Sequence, residues 1–167
     1  MANHALLVID IQNDYFSGGR HPLEKPEAAL SQSLREIDQA LKKNEPVIII
    51  QHIHAINGPF FRLGTLGAAN HPLIEAVATK MGTIIYLTKS KRNSFVDTDL
   101  ATILESRHIQ TLTLCGMKSD WCITDTSLAA LKKGYQVKVV KAACTSLSED
   151  IHNQAIQNLA AHGVQIC

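Results

Sequence analysis

Short apolar runs recur along this chain, each followed by a segment whose apolar residues repeat at helical spacing. Residues 5–9 (ALLVI), 47–50 (VIII), 83–87 (TIIYL), 111–115 (TLTLC) and 136–140 (QVKVV) have the length of strands, and 164–166 makes a short last one. Apolar runs without strict alternation suit strands covered on both faces, as in a parallel sheet. Between them the spacing predicts helices over about 26–43, 71–80, 98–107, 120–133 and 149–162. In the first, Ala29, Leu30, Leu34, Ile37, Ala40 and Leu41 share a face, Pro26 suits the start, and Asn44, Glu45 and Pro46 stop it. Thr98 is placed to cap the third helix, and Gly82, Gly134 and Gly163 to end others. This alternation predicts an α/β three-layer sandwich with a mainly parallel sheet of about six strands and helices on both faces. Right-handed crossovers then bring Asp10, His52, Lys89 and the turn at 116–122 to one edge of the sheet. Ligands bind at that carboxyl edge in open sheets of this kind.

The 167 residues fit one domain, 1–167, with a sizeable core. Apolar residues make up 46% and charged residues 19%, which excludes a disordered chain. The net charge is +1 with Lys and Arg scattered, so no basic stripe points to a nucleic-acid partner. No apolar run approaches the ~20 residues that span a bilayer, so no membrane partner is expected. The start, MANHALLVID, lacks the charged head and cleavage site of a signal peptide, and the expected location is cytoplasmic. The cysteines are Cys115, Cys122, Cys144 and Cys167; they form no C-x-x-C pair and match no zinc spacing. Cys115 and Cys144 read as packing residues, and Cys167 is terminal and uninformative.

Cys122 is different. It falls in the first turn of the helix predicted from Asp120, after a buried strand and a glycine. Unpaired N–H groups and the positive end of the helix dipole favour thiolate there, and the thiolate is the nucleophile. A base and a cation are still needed, and Asp10 and Lys89, each just past a strand, are candidates. A strand-ending Asp is equally often a turn former, and the KSKRNS segment after Leu87 and Thr88 also suits a solvated turn. His52 and His54 form an H-x-H pair that shares a face at strand spacing, but no nearby Asp completes a metal set. The loop 57–70 carries Phe60, Phe61 and Arg62 and has the length of a binding loop.

Three blocks carry a resemblance over nearly the whole chain. LLVIDIQNDYF holds Asp10, KSKRNSF holds Lys89, and LCGMKSDWCITDTSLAALKKGYQVKVV holds Cys122. Together, with Gly64 and Thr65 of the FRLGT loop, they are similar to the isochorismatase-like cysteine hydrolases, a superfamily with a Rossmann-like fold that includes nicotinamidases and N-carbamoylsarcosine amidohydrolase. The resemblance implies a catalytic triad of Asp10, Lys89 and Cys122, and a non-proline cis peptide at Met117–Lys118. It implies an oxyanion hole from the N–H groups of Lys118 and Cys122, with Ser119 placed to cap the helix. Tyr15, Phe16, Phe60, Phe61 and Trp121 are the candidate substrate-binding side chains. The implied reaction is C–N cleavage of a small amide or carbamoyl compound through a thioester, with no cofactor.

The chain departs from the family in two places. Nicotinamidases carry an acidic, histidine-rich metal site after the second strand; QHIHAIN offers only His52 and His54, which argues against a nicotinamidase and against an obligatory metal. Lys118 is bulkier than the small residue often found there and would favour an anionic substrate if it faced the pocket. The chain is also short for the family, which fits a more open pocket or one completed by a neighbouring subunit, and the resemblance suggests a homo-oligomer, dimer or higher. Two other functions compete. An isochorismatase-type vinyl-ether hydrolase needs Asp10 and Lys89 but no thiol. A non-catalytic binding or interaction protein has no need for all three groups.

Overall fold

The computed structural model describes residues 3–79 and 83–167. Its six strands are β1 (His4–Ile9), β2 (Val47–His52), β3 (Ile84–Lys89), β4 (Thr111–Met117), β5 (Gln136–Thr145) and β6 (Gln165–Ile166). They pair side by side, all parallel, in the order β3-β2-β1-β4-β5-β6. The helices are α1 (Pro26–Lys42), α2 (Pro72–Glu75), α3 (Leu100–Ser106), α4 (Thr124–Lys132) and α5 (Glu149–Ala161). Among the described residues, no helix is long and apolar enough to cross a membrane.

Alternation along β1 divides the core in two. Leu6 and Val8 pack with Ala29, Leu30 and Ile37 of α1 and with Ile74 of α2. Ala5, Leu7 and Ile9 face the other way, against Leu100 and Leu104 of α3, Ala130 of α4 and Leu159 of α5. Successive strand residues point to opposite faces, so a strand that is apolar throughout must be roofed on both sides, and the three layers follow.

The boundaries differ from the sequence expectation mainly where the chain leaves the sheet. β2, β3, β4 and β5 all run on at their carboxyl ends, to His52, Lys89, Met117 and Thr145. The extensions of β2, β3 and β5 hold polar residues that periodicity does not count as strand, and that of β4 is Gly116 and Met117. The second helix is one α turn followed by a 3₁₀ stretch, Ala76–Thr79, and Gly82, expected to end it, lies outside the described residues. α3 begins at Leu100, with Thr98 Oγ1 accepting the Leu100 N–H at 3.3 Å.

β1 is central. The chain builds outward from it through β2 to β3, then returns to lay β4 on its other side. The break in strand order between β1 and β4 is the topological switch point, where a crevice opens beyond the strand ends. Gly116 sits beside this break, opposite Ile9, with φ 120°. A Cβ there would collide with the Ile9 carbonyl oxygen, so the two strand ends approach each other only with glycine at this position. Gly134 also has positive φ, at 91°, but open space around it. Gly116→Ala is therefore expected to lower stability by about 3 kcal/mol or more, and Gly134→Ala by about 1–2 kcal/mol, in urea unfolding.

Candidate active site

Each strand end delivers one group to the crevice. Asp10 follows β1 directly, in the left-handed region at φ 54°, a conformation that Asp tolerates better than most residues. Its N–H donates to the Ile50 carbonyl (2.9 Å) and its carbonyl accepts from Gln12 N–H (3.0 Å). The bend turns its carboxylate into the protein, where it is fully buried. Lys89 is the last residue of β3, in register with His52 on β2. Strands are ~4.8 Å apart, so a group on β3 must reach past β2 to meet Asp10, and the long lysine stem does so.

The Lys89 ammonium is fully enclosed and has five acceptors around its three protons. His52 Nδ1 and the Lys91 carbonyl lie at 2.9 Å, Asp10 Oδ2 at 3.1 Å, Cys122 Sγ at 3.3 Å and the Arg92 carbonyl at 3.4 Å. Burial opposes its charge, but Asp10 and Cys122 more than offset this and hold it above the ordinary lysine value. Burial in turn raises the Asp10 carboxyl, against the pull of Lys89. The segment after Lys89 is fastened to α4 by Ser94, whose N–H and Oγ both meet Thr126 Oγ1, at 3.0 and 2.9 Å.

The turn that carries Cys122 corrects two expectations. Residues Ser119–Ile123 form a π-helical turn, and the regular helix starts only at Thr124. Ser119 does not cap it; its hydroxyl donates to the Thr145 carbonyl (3.1 Å) and meets His152 Nδ1 (2.6 Å). The wide turn is closed instead by the Trp121 and Ile123 N–H groups on the Lys118 carbonyl, at 3.1 and 3.2 Å. The Met117–Lys118 peptide is cis. Cys122 is buried rather than presented at a solvated helix start, and burial together with the Asp10 charge pushes its thiol well up, with Lys89 opposing. The expected shift toward thiolate is thus reversed. A thiol so placed needs a base beside it to become a nucleophile.

A cavity of about 240 Å³ opens over Cys122, with Tyr15, Phe60 and Trp121 as aromatic walls and His52, His54 and Arg92 completing it. Phe16 and Phe61, named beside these from sequence, do not line it. Phe16 packs on His71 with ring centroids 4.6 Å apart, and Phe61 is wholly buried under Tyr15. Both are adjacent to a lining residue, and neighbours in an irregular segment need not share a direction. The Lys118 side chain does not line the cavity either; its Nζ lies 3.4 Å from the Trp121 ring centroid.

Asp10, His52 and Cys122 bring donor atoms within 4.8 Å of one another, a spacing suited to a metal ion. The Lys89 ammonium already contacts an atom of each, so a cation stands where the ion would, and a divalent metal does not fit beside it. His54 has its Nδ1 committed to the Phe60 carbonyl at 2.7 Å.

Three contributors have roles that the sequence did not assign. The Gln12 amide donates to the His52 and Ala68 carbonyls (both 2.7 Å) and accepts from His52 N–H (2.8 Å), tying β1 to β2 just beyond Asp10. The Asp14 carboxylate accepts the N–H groups of Arg20 (3.0 Å) and Phe61 (2.7 Å), pinning the loop that carries Phe60. His52 itself is the third, as a partner of Lys89. An ammonium can only donate, so His52 Nδ1 accepts, and in the neutral ring the proton is on Nε2, which has no partner.

Burial and then the Lys89 charge hold His52 down to about 3. A folded value below the ordinary 6.5 or so stabilises above the unfolded value and is lost as pH falls through the folded one. Stability should therefore fall by a few kcal/mol between about pH 6.5 and 3. His52→Gln keeps an acceptor for Lys89 without titrating, and chemical denaturation across this range should give a flatter profile for that variant.

Known proteins place this chain in a family. The description "Isochorismatase domain" matches residues 4–167. An uncharacterised isochorismatase family protein, YddQ of Bacillus subtilis, is 35% identical over 91% of this chain and 83% of its own. The nicotinamidase of Escherichia coli is 27% identical over 89% and 85%. The crystal structure of a putative isochorismatase hydrolase from Oleispira antarctica superposes with a TM-score of 0.89 at 31% identity, covering 98% of this chain and 92% of that one. The chain belongs to the isochorismatase family and is a hydrolase.

Proposed function

We propose that this hydrolase cleaves the C–N bond of a small amide or carbamoyl compound through a cysteine thioester. The observation that carries this is the single ammonium of Lys89 held at 3.1 Å from the Asp10 carboxylate and 3.3 Å from the Cys122 sulfur, beneath an aromatic cavity. A vinyl-ether hydrolase has no use for the sulfur, and a binding protein has no use for a buried acid, base and thiol in contact.

In this reading Asp10 takes the Cys122 proton as Sγ attacks the carbonyl carbon. Its raised carboxyl makes it a stronger base than an ordinary aspartate, and Lys89 balances the negative charge as it passes between carboxylate and sulfur. The Lys118 and Cys122 N–H groups receive the oxyanion, a contribution of about 3–4 kcal/mol per donor. The C–N bond then breaks, and ammonia or an amine leaves with the proton from Asp10. Water gives a proton to Asp10 and attacks the thioester, releasing the acid and returning the proton to sulfur. Ion and proton stay within one contact shell, so no step separates charge across the low-dielectric site.

Ammonia release from an amide panel tests this. Cys122→Ala and Asp10→Asn should each lower kcat by ~10³-fold or more, while Cys167→Ser, at an exposed cysteine, retains activity. Activity that survives Cys122→Ala would exclude the thioester route.

A further inference from the structure

The amino edge of the sheet, a strand length of ~20 Å from Asp10, joins three side chains for which the cysteine chemistry has no use. His4 opens β1, and its Nδ1 lies 2.7 Å from Glu45 Oε2. Its Nε2 lies 2.7 Å from Thr113 Oγ1 on β4. His4 is in register with Thr111, so Thr113, two residues on, shares its face of the sheet. Glu45 is fixed by its backbone. Its N–H donates to the Ala40 carbonyl of α1 (2.9 Å), and the next carbonyl, of Pro46, accepts from Leu6 N–H (3.0 Å).

The acid sets the direction of these bonds. An ionised carboxylate can only accept, so the ring proton is on Nδ1, and the neutral ring presents a lone pair at Nε2. Thr113 must then donate, and its proton points at a base. Carboxylate, imidazole and hydroxyl in this order form the arrangement that turns a hydroxyl into a nucleophile. A cleft of about 470 Å³ between α1 and β5 is lined by all three residues, and Leu6 and Val140 give it apolar surface. That volume is within the ~300–1,000 Å³ of small-molecule sites. Thr113 is 8% exposed, and the His4 and Glu45 side chains keep 24% and 14%.

Lys138 also lines the cleft and is in register with Thr113 on the adjoining strand, so its stem starts on the same face one strand spacing away. A cation there suits the negative charge that develops on a carbonyl oxygen under attack. The α1 wall adds Glu36 and Lys43, one charge of each sign, which suits a neutral substrate. β4 is paired on both sides at Thr113, with β1 and with β5, so its backbone offers no N–H pair for an oxyanion. The site therefore suits esters, whose alkoxide leaves more readily than an amine.

We propose that Thr113, His4 and Glu45 form a second nucleophilic site that hydrolyses small neutral esters, with Lys138 beside the developing oxyanion. Thr113 Oγ1 bonds to the acyl carbon as its proton passes to His4 Nε2. The ester C–O bond breaks, and the alcohol leaves with that proton. Water then gives a proton to His4 and attacks the threonyl ester, the acid departs, and the proton returns to the threonine oxygen. Glu45 acts through His4 and is a positioning residue. This site is independent of the cysteine reading above.

The test uses the full chain carrying Cys122→Ala, which removes the cysteine route. It should hydrolyse p-nitrophenyl acetate faster than buffer does, and diisopropyl fluorophosphate should leave a diisopropylphosphoryl group on Thr113, located by peptide mapping. The labelling needs no change at the site itself. Added to this background, Thr113→Val, close in shape, should abolish the ester activity, and His4→Gln should lower activity and labelling by ~10²-fold or more. Glu45→Gln should lower kcat with KM unchanged, and Glu45→Asp should restore part of it. Thr113→Val made alone should keep Cys122-dependent ammonia release, so the two sites fail separately. Absence of the label from Thr113, labelling equal in His4→Gln, or an ester rate that survives Thr113→Val overturns the proposal.

Discussion

One buried ammonium holds this active site together. Lys89 reaches from the outermost strand of one flank, past β2, to touch a carboxylate from β1 and a sulfur from the turn after β4. Without it, Asp10 is a fully buried carboxylate beside a buried thiol, and either charge alone in that environment carries a large desolvation penalty. With it, one negative charge can move from carboxylate to sulfur beside a fixed cation. Burial, and then the same ammonium, keeps His52 neutral, and the ammonium settles which ring nitrogen bears the proton. It also stands in the space among the three potential metal ligands.

The sheet topology explains why these groups can meet at all. Parallel strands put all carboxyl ends on one edge, and the reversal between β1 and β4 leaves that edge open where Asp10 and Cys122 face each other. The approach of the two strand ends depends on the bare backbone of Gly116. Polar side chains then set the finer geometry. Gln12 ties the ends of β1 and β2, Asp14 anchors the loop bearing Phe60, and Ser119 joins the cysteine turn to β5 and α5. All three are buried, so each hydrogen bond also spares a desolvated backbone or side-chain group from being unpaired.

The setting of Cys122 bears on control of reactivity in the proposed mechanism. A cysteine at a solvated helix start is a standing thiolate, open to any electrophile. Cys122 is instead buried beside a carboxylate, and both oppose its thiolate; in the proposed mechanism it becomes nucleophilic as its proton moves to Asp10. In that mechanism reactivity is coupled to a bound carbonyl that can accept the sulfur, under a cavity with aromatic walls and Arg92.

The alternation of apolar runs and helical faces was enough to specify the three-layer parallel architecture, because burial on both faces writes itself into composition residue by residue. Three motif blocks, through their resemblance to a known family, pointed to Asp10, Lys89 and Cys122, and the fold brings Lys89 into contact with the other two. Tertiary structure decided what depends on direction and environment. Tyr15 faces the cavity while its neighbour Phe16 does not, and Phe60 does while Phe61 does not, since irregular backbone has no period from which to read orientation. The π turn displaced the helix start from Cys122, and with it the basis for a lowered thiol pKa. Gln12 and Arg92 acquired their places, and His52 its role as a partner of Lys89, only through contacts with residues distant in sequence, which no local pattern encodes. A pKa belongs to the surroundings of a group, and those exist only once the chain has folded.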